Sequence, residues 1–426
     1  MSGAPLEFEV LDPQDDSPEN VERVAAWLQG TARGFHQRRF TPESQRLWLE
    51  HVRADSVVLR GAWLPEGAYA ASAMPVATFA SWAGELNTGS ALLPLHLITD
   101  VTVSPAHRRQ GLLRRLMVED LRSAVAAGRP LAALMVSEGT IYGRFGFAPA
   151  TWRASVEVDA SRGFEIAGDA SVASFAQVEP VEAWPTLRGI FERWHRGQRG
   201  SVARPQYYDA MLGGAWNWED QAADDKTRGV VHLDETGEPD GYVLYRHEGW
   251  DPPYTVTVRD LVALSPQTHL ELWRFLGQMD LCDRLRTIGL VQDPLTWALT
   301  DPRRRRVTKV EDHVWLRILD VPAALEGRPW YGEGRVVLDV RDPLGHAQGL
   351  WSVQASGGRA TVTEAPEGAG EPELSLDVST LSALYLGGVG VPQLVAAGRI
   401  TGSPRALETW AAMSDGGPQP LSLASF

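Results

Sequence analysis

The turn Arg108-Arg109-Gln110-Gly111-Leu112-Leu113 holds the residue types most able to do chemistry in this chain. It follows the apolar stretch Leu93–Val103 and opens an amphipathic segment from about Arg109 to Ala127, with Leu113, Met117 and Leu121 on one face. A strand, a glycine turn and a helix start in that order suit a pyrophosphate-like anion. Helix N-termini leave backbone N–H groups free and carry a favourable dipole. Gly111 lets the backbone approach the anion without a Cβ, and Arg108 and Arg109 add positive charge at the rim. The run Arg303–Arg306 reads instead as a solvated loop or an intersubunit ion-pair surface. His107, His195 and His313 show no zinc spacing, and the single cysteine, Cys282, cannot build a cysteine metal site or an internal disulfide. No metal is expected.

The elements around this turn fall into three blocks. Residues 1–155 read as mixed α/β: a helix over Glu19–Phe35, strands at Ser56–Ala62, Ala68–Ala80 and Leu93–Val103, the helix after the turn, a buried strand at Leu131–Val136, a short helix near Thr140 and a strand near Thr151–Val158. Residues 156–310 look like a faded copy. Val258-Arg-Asp-Leu-Val-Ala-Leu-Ser-Pro266 and its helix over Thr268–Leu276 parallel Ile98-Thr-Asp-Val-Thr-Val-Ser-Pro105 and its helix, but without the glycine turn. Residues 311–426 alternate as antiparallel strands at His313–Leu319, Gly334–Val340, Gly349–Ala355, Arg359–Thr363 and Leu374–Val378. Helices follow at about Ser379–Tyr385, Val391–Ala397 and Pro404–Met413, which makes an α+β domain.

The segment Asp100–Met117 resembles the acyl-CoA motif of the GNAT superfamily of N-acetyltransferases, although Leu113 stands where a small residue is usual. Leu131–Phe147 resembles the next strand and turn of those enzymes, with Tyr142 through Phe147 matching their Y-x-x-x-G-F element. The resemblance implies acetyl-CoA as co-substrate, held by Val101, Thr102, Val103, Arg108, Arg109, Gln110, Gly111, Leu112, Leu113, Arg114, Ser137 and Glu138. It also implies Tyr142 as the acid that protonates the departing thiolate. A phenol of pKa about 10 carries its proton at neutral pH.

Across nearly the whole chain the sequence resembles the Eis (enhanced intracellular survival) family: a catalytic GNAT domain over 1–155, a degenerate GNAT-like domain over 156–310 and a sterol-carrier-protein-like domain over 311–426. The tail likeness rests on Glu373–Gly388 and Leu394–Gly398, and the junction likeness on Thr300–Arg317. The family implies acetylation of amines on aminoglycosides or similar polyamines, a homohexamer, and a catalytic base supplied by the α-carboxylate of Phe426. An α-carboxylate has a pKa of roughly 3.3–3.7, which burial would raise. Ser425 departs from the acidic residue expected before it. Phe35, His36 and Trp82 are candidates to line the amine pocket, with ordinary core packing the favoured reading for each. Acetylation of protein lysines and an apolar-ligand carrier built on the third block are the alternative readings.

Composition narrows the partners. With 426 residues the chain is too long for one core, and 16 tryptophans with 28 prolines argue for dense packing rather than disorder. A net charge of −14 disfavours nucleic acid and anionic membranes and favours cationic small molecules. Only Lys226 and Lys309 are lysines, an arginine bias that points to a high-GC genome rather than to function. The first residues are acidic and lack the segments of a secretory leader, and no apolar run approaches the roughly 20 residues of a membrane span. Cytoplasmic residence is the expectation.

Overall fold

The strand Leu92–Val103 organises the N-terminal half of the protein. On one side it pairs along its length with Ala77–Asn87. On the other it runs parallel to Leu131–Leu134, from Leu95 opposite Leu131 to Ile98 opposite Leu134. Beyond Ile98 the two strands part, so residues 99–103 present an edge that strand Leu131–Leu134 leaves unpaired. The crossover between them is the helix Leu112–Ala126, whose Leu116, Met117, Leu121 and Ala124 are buried against the sheet. This computed structural model describes residues 5–168, 174–365 and 372–426.

The described residues form three sheets. In the first the order is Glu7–Leu11, Val58–Trp63, Ala77–Asn87, Leu92–Val103, Leu131–Leu134, Trp315–Ile318 and Ala148–Pro149. In the second it is Ser174–Val178, Arg228–Leu233, Pro239–His247, Thr255–Ala263, Arg284–Gly289, Trp152–Asp159 and Arg305–Asp312. Each sheet has one parallel pair, at Leu95–Ile98 with Leu131–Leu134 and at Thr255–Thr257 with Arg284–Arg286. Each parallel pair is bridged by a helix, Leu112–Ala126 or Pro266–Gly277. The tandem duplication expected from the sequence is therefore present in the topology. The third sheet, ordered Arg359–Glu364, Gly349–Ser356, Gly334–Arg341, Leu374–Asp377 and Ile400–Gly402, packs with the helices Val378–Leu384, Val391–Ala396 and Pro404–Ser414.

The two related folds exchange strands. Trp152–Asp159 leaves the first block and pairs in the second sheet, opposite Arg284–Gly289 and Arg305–Asp312. Trp315–Ile318 returns from beyond the second block and lies between Leu131–Leu134 and Ala148–Pro149 in the first sheet. His313–Leu319 was expected to open the third block, and the structure places its strand in the first sheet instead. The physical reason is visible in its burial: Trp315, Leu316, Arg317 and Ile318 are all buried, as a strand covered on both faces must be.

Other local differences have local causes. The strand expected over Ala68–Ala80 starts only at Ala77, because Ala68–Met74 is a run of small residues in turns, with Tyr69 fully exposed. The helix expected near Thr140 is a series of turns ending in a 3₁₀ turn at Gly143–Phe145, because Gly139, Gly143 and Gly146 weaken any α-helix there. Two long helices went unread, Pro42–Ala54 and Pro180–Gly197, as did the short ones at Tyr207–Met211, Pro294–Ala298 and Val321–Glu326. The first had a legible start signal, Thr41 before Pro42, whose side chain caps Ser44 N at 3.2 Å.

Candidate active site

Gly111 sits at φ +79°, the left-handed region, and starts the helix Leu112–Ala126 with no side chain capping it. Arg109, two residues earlier, is also left-handed at φ +63°. The first-turn N–H groups of a 15-residue helix thus face outward uncapped. In the second copy the equivalent helix is closed: the Ser265 side chain accepts a hydrogen bond from Thr268 N at 3.0 Å. The copy with the glycine turn leaves its helix start open, and the other caps its own with Ser265.

The helix is fixed to the sheet by a buried polar knot. Asp120 on the helix accepts hydrogen bonds from Ser81 Oγ at 2.6 Å and pairs with Arg60 at 2.8 Å and His96 Nε2 at 2.6 Å. On the opposite flank, Gly34 at the end of the helix Pro18–Gly34 lies against Thr102, where a Cβ would come within 2.4 Å of the threonine side chain. Only glycine allows that approach.

These constraints frame a cleft of about 710 Å³. Val101, Thr102, Val103, Arg108, Arg109, Gly111, Leu112, Leu113, Arg114, Ser137, Glu138 and Tyr142 all line it, and Gln110 does not. Sequence reading missed Gly34, Phe35, His107 and Arg144, and also Pro343 and Leu344, which the third domain contributes to the wall. Those last two follow Asp342, whose carboxylate forms a buried two-pronged pair with Arg317 at 2.8 and 2.9 Å. Burial works against the charged Asp342, but Arg317 and the N–H groups of Ala347 and Leu344 outweigh it and hold the carboxyl below its usual range.

Tyr142 precedes the 3₁₀ turn and is 6% exposed. Burial first, and the charge of Glu138 second, push its phenol up to about 12. Among the described residues its hydroxyl has no hydrogen-bond partner, and it faces the cleft. A group held in this way keeps its proton and can offer it to an atom in the cleft.

A second cavity of about 720 Å³ adjoins the first, and Phe35 lines both. The backbone runs from one to the other, with Thr99 and Asp100 lining the second cavity and Val101–Val103 the first. Trp48, Trp82, Trp218, Tyr207 and Phe426 supply aromatic walls, and Asp55, Asp100 and Glu219 supply carboxylates. Phe35 and Trp82 line this cavity, Trp82 while also buried in the core, whereas His36 lines neither cavity.

Phe426 reaches this cavity through a docked tail. Its ring meets Trp82 edge-on at 6.0 Å. Ser425 N donates to Tyr208 Oη at 2.7 Å, and Tyr207 Oη donates to Ser425 O. His313 Nε2 donates to the carbonyl of Ala424 at 3.0 Å, which fixes the proton on Nε2. Burial, reinforced by the charge of Arg153, pushes the His313 imidazole down to about 4. Its protonation is therefore favoured only in the unfolded chain. Stability from this group is complete above about pH 6.5 and falls as pH drops toward 4, by about 3 kcal/mol in all. Thermal unfolding followed from pH 7 to pH 4.5 is expected to show that loss, and His313→Gln, which keeps an N–H donor without titrating, is expected to flatten it.

Elsewhere the arginine run makes intramolecular contacts: Arg306 pairs with Glu157 at 2.8 Å, and the buried Arg305 donates to Val291 O at 3.0 Å. Among the described residues no group of three or more His, Cys, Asp or Glu side chains could hold a metal ion, and no helix is long and apolar enough to cross a membrane.

The paired folds, the uncapped glycine turn and the split beside strand Leu92–Val103 define the acetyltransferase class of the GNAT type. Residues 72–150 and residues 200–318 each match the acetyltransferase (GNAT) domain, and residues 321–421 match the sterol carrier protein domain. N-acetyltransferase Eis of Mycobacterium tuberculosis is 36% identical over 372 residues, covering 84% of this chain and 86% of that protein. An uncharacterized N-acetyltransferase of Streptomyces griseus is 34% identical over 387 residues, covering 88% and 90%. The crystal structure of Eis1 from Mycobacterium abscessus superposes with a TM-score of 0.80 at 27% identity, over 98% of this chain and all of that one. The chain belongs to the Eis family of N-acetyltransferases.

Proposed function

We propose that the protein transfers acetyl from acetyl-CoA directly to an amine of an aminoglycoside or similar polyamine. The observation that supports this most is the meeting of two cavities along residues 99–103, one walled by the glycine turn and Tyr142, the other by Phe426 and three carboxylates. Acetyl-CoA, when bound, supplies the activated acetyl group as a thioester. The N–H groups at Gly111 and the start of its helix, with Arg108, Arg109 and Arg114, hold the pyrophosphate. The free edge at Val101–Val103 pairs with the pantetheine amides as an added strand would, and Ser137 and Glu138 close over it. Gln110, within the turn, does not line the cleft.

In this scheme Tyr142 is the acid, donating its phenolic proton to sulfur as negative charge develops there. The main-chain carboxylate of Phe426 is the base and accepts the proton lost from the attacking ammonium, directly or through water. The net charge of −14 and the carboxylates of the second cavity favour a cationic acceptor. The family resemblance adds a homohexamer to the proposal, and residence in the cytoplasm, the default expectation from the composition, goes with it. Appending one glycine after Phe426 removes that carboxylate while leaving the side chain. Turnover, read as release of free CoA thiol, is expected to collapse while acetyl-CoA binding survives. Undiminished turnover would remove Phe426 from the mechanism.

A further inference from the structure

Asp100 has no part in the scheme above, and its placement is unusual. Pairing between Leu92–Val103 and Ala77–Asn87 slips here: Thr102 stands opposite Thr78 and Thr99 opposite Ala80, so Asp100 and Val101 bulge out together. The bulge holds Asp100 at φ +52°, a left-handed conformation that aspartate and asparagine tolerate better than most residues. Thr78 Oγ1 donates to its carbonyl at 2.7 Å and secures the backbone. The side chain lines the acceptor cavity one residue away from Val101 in the acetyl-CoA cleft.

Nothing neutralises this carboxylate. Arg38, His51, Asp55 and Glu219 share its cavity, as does the Tyr207 phenol from the adjoining helix Tyr207–Met211. Asp55 accepts from Gln206 N, and Tyr207 donates to Ser425 O. Among the described residues none forms a hydrogen bond or ion pair with the Asp100 carboxyl. Its counterpart in the second copy, Asp260, shows the contrast: it pairs with Arg204 at 2.7 Å and accepts from Tyr242 at 2.6 Å. Burial pushes Asp100 up to about 6. Above that pH the cavity wall carries an anion that has no donor among the described residues, a cost that a bound cation would offset.

We propose that Asp100 binds the substrate ammonium and so restricts the acceptor cavity to cationic primary amines. An ammonium brings three donors to a carboxylate that has none among the described residues, and the aromatic walls that Trp82 and Phe426 give the same cavity favour the same charge. Asp100 is thus a specificity-determining residue, distinct from the proton acceptor at Phe426. The inference rests on the amine-acetylation reading above.

Asp100→Asn tests it, because asparagine keeps the left-handed backbone and the shape but not the charge. The acceptor is whichever amine the unmodified protein turns over best among aminoglycosides, spermidine and a lysine peptide. At pH 8 the KM for that amine is expected to rise about tenfold or more, with kcat changed far less and the KM for acetyl-CoA unchanged. In the unmodified protein kcat/KM is expected to fall as pH drops through about 6, where Asp100 takes up a proton, and in the variant that limb is expected to flatten. The raised carboxyl lowers stability above its folded pKa, so Asp100→Asn is also expected to melt higher than the parent at pH 8. An unchanged amine KM, or a lower melting temperature with KM and kcat falling together, would overturn the role of Asp100 alone. Absence of acetyl transfer by the unmodified protein to any of the amines would overturn the acetylation reading, and this inference with it.

Discussion

Replacing Tyr142 with phenylalanine is expected to lower kcat by roughly 10²–10⁴-fold while acetyl-CoA binds as before. The ring packs in the core cluster that includes Phe145, Phe147 and Trp315, so phenylalanine keeps the packing and loses only the hydroxyl. Among the described residues that hydroxyl has no hydrogen-bond partner, so its removal strands no other polar group there. The phenol is raised to about 12, so the acid form persists across any practical pH range and no alkaline limb near pH 10 belongs to Tyr142. Steady-state CoA release combined with calorimetric titration of acetyl-CoA separates the two quantities. A variant that turns over at the parent rate would show that the leaving sulfur needs no proton from this residue.

Asp342→Ala is expected to destabilise the protein by about 3–5 kcal/mol, because it leaves the Arg317 guanidinium charged and unpaired in the interior. Both side chains are fully buried. The pair joins the exchanged strand Trp315–Ile318 of the first sheet to the end of strand Gly334–Arg341 in the third. Asp342 also accepts from the N–H groups of Leu344 and Ala347, so the loop that walls the cleft beside the glycine turn should loosen, and acetyl-CoA affinity is expected to fall as well. Chemical denaturation measures the first effect and calorimetry the second. Restoring an uncharged interior with Arg317→Met in the same chain is expected to recover much of the stability but not the loop. A loss below about 1 kcal/mol in the single variant would mean that the pair is not a buried junction.

The parts of the site that were legible in the sequence are those built from neighbours. Arg108 through Leu113 form a turn whose function depends on a glycine, a helix start and a preceding strand, all within a few residues. Tyr142 belongs to an equally compact element. The unread parts come from distant chain segments. Trp315–Ile318 alternates as an ordinary strand, and nothing local to it says that it pairs with Leu131–Leu134, nearly the whole second fold away. The wall residues Pro343 and Leu344 depend on that same exchange, since Arg317 holds the loop through Asp342. Phe35 and Trp82 were read as core because an aromatic residue beside a helix or in a strand usually is. The docked tail, whose Phe426 ring meets Trp82, comes from the far end of the chain and lines the same cavity. Asp100 was visible as an aspartate repeated in both copies, but nothing local says that, among the described residues, no arginine pairs with it as Arg204 does with Asp260.

The most direct test of the central claim is the acetylation assay itself. The purified protein is incubated with acetyl-CoA and a panel of aminoglycosides, polyamines and lysine peptides, with free CoA thiol followed by absorbance and the acceptors analysed by mass spectrometry. The account predicts amine-dependent CoA release matched, mole for mole, by an acceptor one acetyl group heavier, and loss of both signals in Tyr142→Phe. CoA release with no acetylated acceptor, or no release with any amine despite bound acetyl-CoA, would contradict it.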